Sequence, residues 1–144
     1  MKKRFIAILT FLCLSFILNC SSVTVKNPQI QREWMLVSFA DYTKEELIKN
    51  NAKIDLTSPA DNGKIKTSAF MGCNKMFFTS EFKKESQLKI SQVVSTEMAC
   101  PNMKLENDFS QNIKKMKHYK VEGHFLTLND DQGNRMKFIA SDWD

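Results

Sequence analysis

The stretch that decides the fold reads Ala52-Lys53-Ile54-Asp55-Leu56-Thr57, then Ser58-Pro59-Ala60-Asp61-Asn62-Gly63, then Lys64-Ile65-Lys66-Thr67-Ser68-Ala69-Phe70. Ala52, Ile54 and Leu56 alternate with Lys53, Asp55 and Thr57, the two-residue period of a strand with one solvated face. Asp61-Asn62-Gly63 supplies residues that tolerate positive φ in a tight turn, so Lys64 to Phe70 is expected to return as the second strand of a hairpin.

The same pattern extends in both directions. Upstream, Glu33 to Phe39 is aromatic and β-branched with large apolar residues at every second position, which predicts a strand that sends Trp34 into a core. Thr43 followed by Lys44-Glu45-Glu46 offers an N-cap and an acidic first turn, predicting a short helix at 44–49. Downstream, Lys75 to Lys83 and Leu88 to Val94 read as two more strands, with Phe78, Phe82, Leu88, Ile90 and Val93 as core candidates. After Pro101 the pattern changes: Leu105, Phe109, Ile113 and Met116 form one helical stripe, predicting a substantial helix at about 103–117. Glu106 and Asp108 come early in it, and Lys114, Lys115 and Lys117 come late, as the helix dipole favours. Three strands then close the chain, at 119–122, 124–128 and 135–140. The expected fold is therefore mainly β (α+β): a curved antiparallel sheet rolling into a small barrel-like domain, with the helix packed on it.

The chain has 144 residues and a formal charge of +5. Lys2, Lys3 and Arg4 lead into an apolar run from Phe5 to Leu18, too short to span a bilayer comfortably and suited to an export signal. Ile17-Leu18-Asn19-Cys20 looks like the lipobox of a bacterial lipoprotein, with Asn19 where a small residue is usual. The expected organisation is a signal peptide at 1–19, a tether at 20–31 lipidated on Cys20, and one domain at 32–141. Acyl chains on Cys20 contribute roughly 0.8 kcal/mol per buried CH₂, enough for firm anchoring without a spanning helix. Ser21 is not the Asp that favours inner-membrane retention, so the expected location is the outer membrane, facing the periplasm. The leader takes three of the 21 basic residues with it, leaving 18 against 16 acidic ones. The basic balance is thus mostly a targeting feature, and no nucleic-acid partner is expected.

Of four cysteines, only Cys73 and Cys100 remain in the folded body. Two thiols in an oxidising compartment usually pair, and closing this loop is worth about 3 kcal/mol in the chain-entropy model. The alternative is two separately buried thiols.

Gly72-Cys73-Asn74, then Thr96-x-Met98-x-Cys100, then Glu106 and Phe109, then Leu126, Leu128 and Phe138 form a series that resembles the META (HslJ-like) domain family over residues 32 to 141. Members often carry a glycine shortly after Gly-Cys-Asn, where this chain has Met76-Phe77-Phe78-Thr79. The resemblance implies a small barrel-like domain with a structural Cys73–Cys100 bridge. It also implies a heat-shock or envelope-stress role linked to antibiotic tolerance, and brings no enzymatic activity or cofactor.

Other chemistry is outweighed by structural readings. Cys73, Cys100, His118 and His124 lack the short paired spacings of zinc sites, and no metal is expected. His118 is placed beside the helix C-terminus and His124 on a strand face. A thiol enzyme using Cys73 would need a thiolate, an orienting group and a cleft, and no motif supplies them. Asn74 after Gly72 reads as a turn former. Met71, Met76, Met98, Met103 and Met116 read as core filling before a binding surface. Phe77 and Phe78 point to opposite faces of a strand, so one of them is a candidate binding surface. The expectation is a monomeric, non-enzymatic envelope lipoprotein that binds an envelope protein or small ligand. The alternative is a barrel whose mouth takes a small ligand or inhibitor.

Overall fold

Residues 52–70 form the expected hairpin in the computed structural model, which describes residues 28–143. The signal peptide, Cys20 and the first part of the tether lie outside the described residues. In chain order the elements are β1 (Glu33–Phe39), α1 (Lys44–Lys49), β2 (Lys53–Asp55), β3 (Lys64–Phe70), β4 (Lys75–Phe82), β5 (Leu88–Ile90), β6 (Val94–Ser95), α2 (Lys104–Ile113), β7 (His118–Glu122), β8 (Phe125–Asn129) and β9 (Arg135–Ala140). A 3-10 turn, Ser141–Trp143, follows.

Ile54 lies opposite Ala69 across the antiparallel β2–β3 pair. The connection ends in a two-residue turn with φ of 50° at Asn62 and 78° at Gly63. Asp61 and Lys64 exchange backbone hydrogen bonds of 2.9 and 2.8 Å across it. α1 is held by reciprocal caps: the Thr43 hydroxyl accepts from the Glu46 N–H at 3.2 Å, and Glu46 Oε2 accepts from the Thr43 N–H at 2.8 Å.

The strands form one antiparallel sheet in the order β5-β4-β3-β2-β1-β9-β8-β7, with β6 also pairing with β4. Its two ends nearly meet: the Leu88 N–H donates to the Lys117 carbonyl at 2.7 Å and the Tyr119 N–H to the Ser86 carbonyl at 2.8 Å. Near-closure leaves little exposed sheet edge, which is why so many short strands can form one compact body. The interior is filled. Trp34, Phe109 and Phe138 are fully buried, each contributing about 1.5–3 kcal/mol of apolar burial. Trp34 Nε1 donates to the Ile30 carbonyl at 2.9 Å, and Ile30 is itself buried, so packing begins there. The stripe of α2 (Leu105, Phe109, Ile113) and the following Met116 is buried as expected.

Three elements differ clearly in extent from the expectation. The strand read over 52–57 is shortened to Lys53–Asp55, as the Asp55 carboxylate accepts from the Thr57 N–H at 2.8 Å and turns the chain. α2 stops at Ile113 because the Lys115 and Met116 N–H groups turn back three residues, to Asn112 and Ile113, at 3.0 and 3.2 Å. Lys114, Lys115 and Lys117 therefore follow the helix instead of occupying its last turn. The 88–94 strand is broken at Ser91, whose hydroxyl accepts the Thr79 N–H at 2.7 Å in place of a carbonyl. The chain then leaves β4 until Val94 pairs with Phe77.

Candidate functional site

The residues singled out around Gly72 and Cys100 come together at the point where β4 begins, β6 ends and α2 starts. Cys73 and Cys100 are bridged by a disulfide, with Cα atoms 6.1 Å apart. Gly72 has φ of 108°, and a Cβ there would lie only 3.1 Å from Asn50 Cγ, so both conformation and space call for glycine. Asn74 is buried. Its Oδ1 accepts from the Met98 N–H at 2.7 Å and the Thr96 hydroxyl at 2.9 Å, while Nδ2 donates to the Met98 carbonyl at 3.2 Å. Thr96 adds a second link, its hydroxyl accepting from the Lys75 N–H at 3.1 Å. Glu106 reaches back from α2 so that Oε2 accepts from the Asn74 N–H at 2.6 Å. Buried polar groups held this fully make a lock between segments. Asn74 thus does more than form a turn.

The two adjacent phenylalanines separate as a strand requires. Phe77 is 43% exposed, whereas Phe78 is 6% exposed and belongs to the core. The candidate binding surface therefore loses Phe78: its side chain lies in the inward row with Met76 and Ser80, all three buried. Phe77 stands in an open groove of about 540 Å³ across the outside of β3 and β4, lined also by Lys66, Ser68, Lys75 and Val94. The Lys75 ammonium lies 5.5 Å from the centre of the Phe77 ring, within cation–π range. Val94, exposed, is brought beside Phe77 by the β4–β6 pairing; Met98, read as core filling, is exposed instead.

Comparison with known proteins decides the relationship. A family model for the META domain matches residues 27–143. The chain belongs to the META domain family. Among curated proteins no match is found. Two solved structures share the META-domain chain's fold. One, an NMR structure, is 22% identical, with a TM-score of 0.58, covering 82% of this chain and 97% of its own. The other, an NMR structure of a protein from Burkholderia xenovorans, is 18% identical with a TM-score of 0.58, covering 85% and 96%.

Within this META domain the histidines stand apart from the cysteine junction. His118 opens β7 and meets Asp131 at 3.1 Å; His124 lies in the β7–β8 turn and stacks on Trp143. Among the described residues no cluster of three or more potential metal ligands occurs. Sequence reasoning missed a second polar cluster, in which Tyr42 donates to Asp108 Oδ2 at 2.6 Å and the Lys104 ammonium reaches the same oxygen at 2.8 Å. The Lys104–Asp108 spacing of one helical turn was the available signal. The hydrogen bonds from Lys104 and Tyr42 hold the Asp108 carboxyl below its ordinary range. Desolvation first, then Asp108, pushes the Tyr42 hydroxyl up. Another missed residue is Asp130, which caps the β8–β9 turn: Asn134 Nδ2 donates to Oδ2 at 2.6 Å, and the Gln132 and Asn134 N–H groups to Oδ1 at 2.9 and 2.8 Å. The Asn134 side chain leads in lowering the Asp130 pKa.

Proposed function

We propose that this META-domain chain is a non-enzymatic lipoprotein of the bacterial cell envelope, held by lipid on Cys20 at the outer membrane and facing the periplasm. It contributes to envelope stress or antibiotic tolerance by binding a partner on the outside of its barrel. The observation that carries the reading is the Cys73–Cys100 bridge, since disulfides persist where export has taken a protein out of the reducing cytosol. The apolar leader ending at Cys20 supports the same compartment.

Binding is assigned to the outer surface because the barrel interior is occupied by Trp34, Phe109 and Phe138, which weighs against the mouth-binding alternative. A bridged Cys73 has no thiolate to offer as a nucleophile, which weighs against the thiol-enzyme reading. Fractionation of cells expressing the wild type and Cys20→Ala tests the proposal. Wild type in the membrane fraction and Cys20→Ala soluble in the periplasm is the expected result; membrane retention of Cys20→Ala refutes lipid anchoring.

A further inference from the structure

We propose that the groove across the outer face of β2, β3 and β4 binds an anionic glycan chain, an inference that rests on the binding role above and names its ligand class. The depression at Phe77 does not end at its own rim. Toward β1 it shares Asp55, Ser68 and Lys75 with a hollow of about 130 Å³, and toward β5 it shares Thr79 and Ser91 with one of about 290 Å³. A shallow path open at both ends suits a chain passing through, whereas small molecules are held in enclosing pockets.

The groove's chemistry comes in three parts. Phe77 supplies the exposed aromatic face, on which the C–H face of a sugar ring can lie. Ser58, Ser68 and Thr79 line the path with hydroxyl-bearing side chains, matched to the hydroxyls of a glycan. Lys64, Lys66, Lys75 and Lys89 supply charge, and none of them makes an ion pair among the described residues. Two neighbouring acids are paired with other lysines, Glu81 with Lys83 at 3.7 Å and Glu33 with Lys53 at 3.0 Å; Asp55, which also lines the groove, keeps its charge and accepts from the Thr57 hydroxyl at 2.6 Å, so four lysines face one unpaired carboxylate.

The pairing of Lys75 with Phe77, a cation 5.5 Å from an aromatic ring centre, selects for a unit that combines an apolar face with a negative group. A sugar bearing a carboxylate, sulfate or phosphate is such a unit. A bilayer is disfavoured because a concave, hydroxyl-lined path cannot lie flat on lipid. Nucleic acid is disfavoured because Phe77 is, among the described residues, the one exposed aromatic ring lining the groove, whereas single strands are held by stacking successive bases on several aromatic platforms.

The test is a calorimetric and NMR titration of the mature chain with two uronate-containing probes, hyaluronan hexasaccharide and tetragalacturonate. Neutral chitohexaose and phosphatidylglycerol vesicles serve as comparisons. Saturable binding to at least one uronate probe is expected, about tenfold or more tighter than to chitohexaose and weakening as salt rises. Phe77→Ala is expected to weaken it about tenfold, as loss of one stacking platform does. Lys66→Gln with Lys75→Gln should weaken it comparably and flatten the salt dependence. Phe77 is exposed, so the first variant should fold; should it not, the lysine pair decides.

The proposal is overturned if neither uronate probe binds or if chitohexaose binds as tightly. It is also overturned if the decisive variant binds like wild type, or if the vesicles compete for Phe77. Membrane fractionation of Cys20→Ala is read separately. A protein that is correctly anchored but binds no uronate probe overturns the groove inference and leaves the lipoprotein reading standing.

Discussion

Glu106 on the helix accepts, through Oε2, a 2.6 Å hydrogen bond from the backbone N–H of Asn74 at the start of β4. Glu106 as a residue is only 5% exposed, so this bond couples helix to sheet out of reach of bulk water. It sits beside the disulfide and the Asn74 side-chain bonds, making one junction from three segments far apart in sequence. Removing the acceptor leaves a buried N–H without a partner, which costs about 1–3 kcal/mol. Glu106→Ala is therefore expected to lower stability in urea by that amount. Glu106→Gln, which keeps an acceptor oxygen, should lose less than half as much. Equal losses would show that the carboxylate acts by something other than this bond.

Gly72→Ala combines strained backbone with a collision against Asn50. The φ of 108° alone is a conformation that costs an alanine about 1–3 kcal/mol. Asn50→Ala in the same chain should relieve the steric part and not the backbone part. Thermal melts of the three variants separate the two, and a wild-type melt for Gly72→Ala would contradict the junction geometry.

Reduction of Cys73–Cys100 is expected to lower stability by about 3 kcal/mol without unfolding the sheet, because the Asn74 and Glu106 bonds remain. Urea titrations with and without reductant measure it. Stability unchanged on reduction would show that the bridge constrains nothing.

Acid should weaken the fold through Asp108 and Asp130. Both carboxyls have folded-state pKa values below their ordinary ones, Asp108 chiefly through Lys104 and Asp130 chiefly through Asn134. A depressed carboxyl stabilises fully above its unfolded value, about 3.9, and that contribution is lost as pH falls through the folded value. The urea midpoint should therefore hold level in this respect from neutral pH to about 5 and fall below about 4. Asp130→Asn should show a shallower acid decline than wild type; an unchanged slope would remove Asp130 from the account.

Much of the barrel was legible because alternation is a local signal. Ile54 opposite Ala69 and Trp34 in the core follow from two-residue periods and one Asn-Gly turn. The helix stripe was equally plain, since Leu105, Phe109 and Ile113 need only their own spacing. Phe78 was read as a core candidate, yet which of the two phenylalanines faces out stayed open, because the inward row contains Ser80, a polar residue made tolerable by a 2.8 Å bond from the buried Thr67 hydroxyl. A serine at a core position blurs the period that would have fixed which phenylalanine faces out. The outward row Lys75, Phe77, Thr79 and Glu81 carries the better clue. At the junction, Gly-Cys-Asn and Thr-x-Met-x-Cys stood out as a pattern, while the bond from Asn74 to Glu106 joins residues 32 positions apart. Nothing in local spacing announces such a contact; it exists only once the sheet has curled against the helix.

The most direct test of an exported, lipid-anchored and disulfide-stapled domain is intact and peptide mass analysis of the protein extracted from membranes with free thiols alkylated at lysis. The expected result is a chain beginning at a lipid-bearing Cys20, with Cys73 and Cys100 unalkylated and the intact mass about 2 Da below that of the reduced form. A chain that retains residues 1–19, or one alkylated at Cys73 and Cys100, would contradict the account.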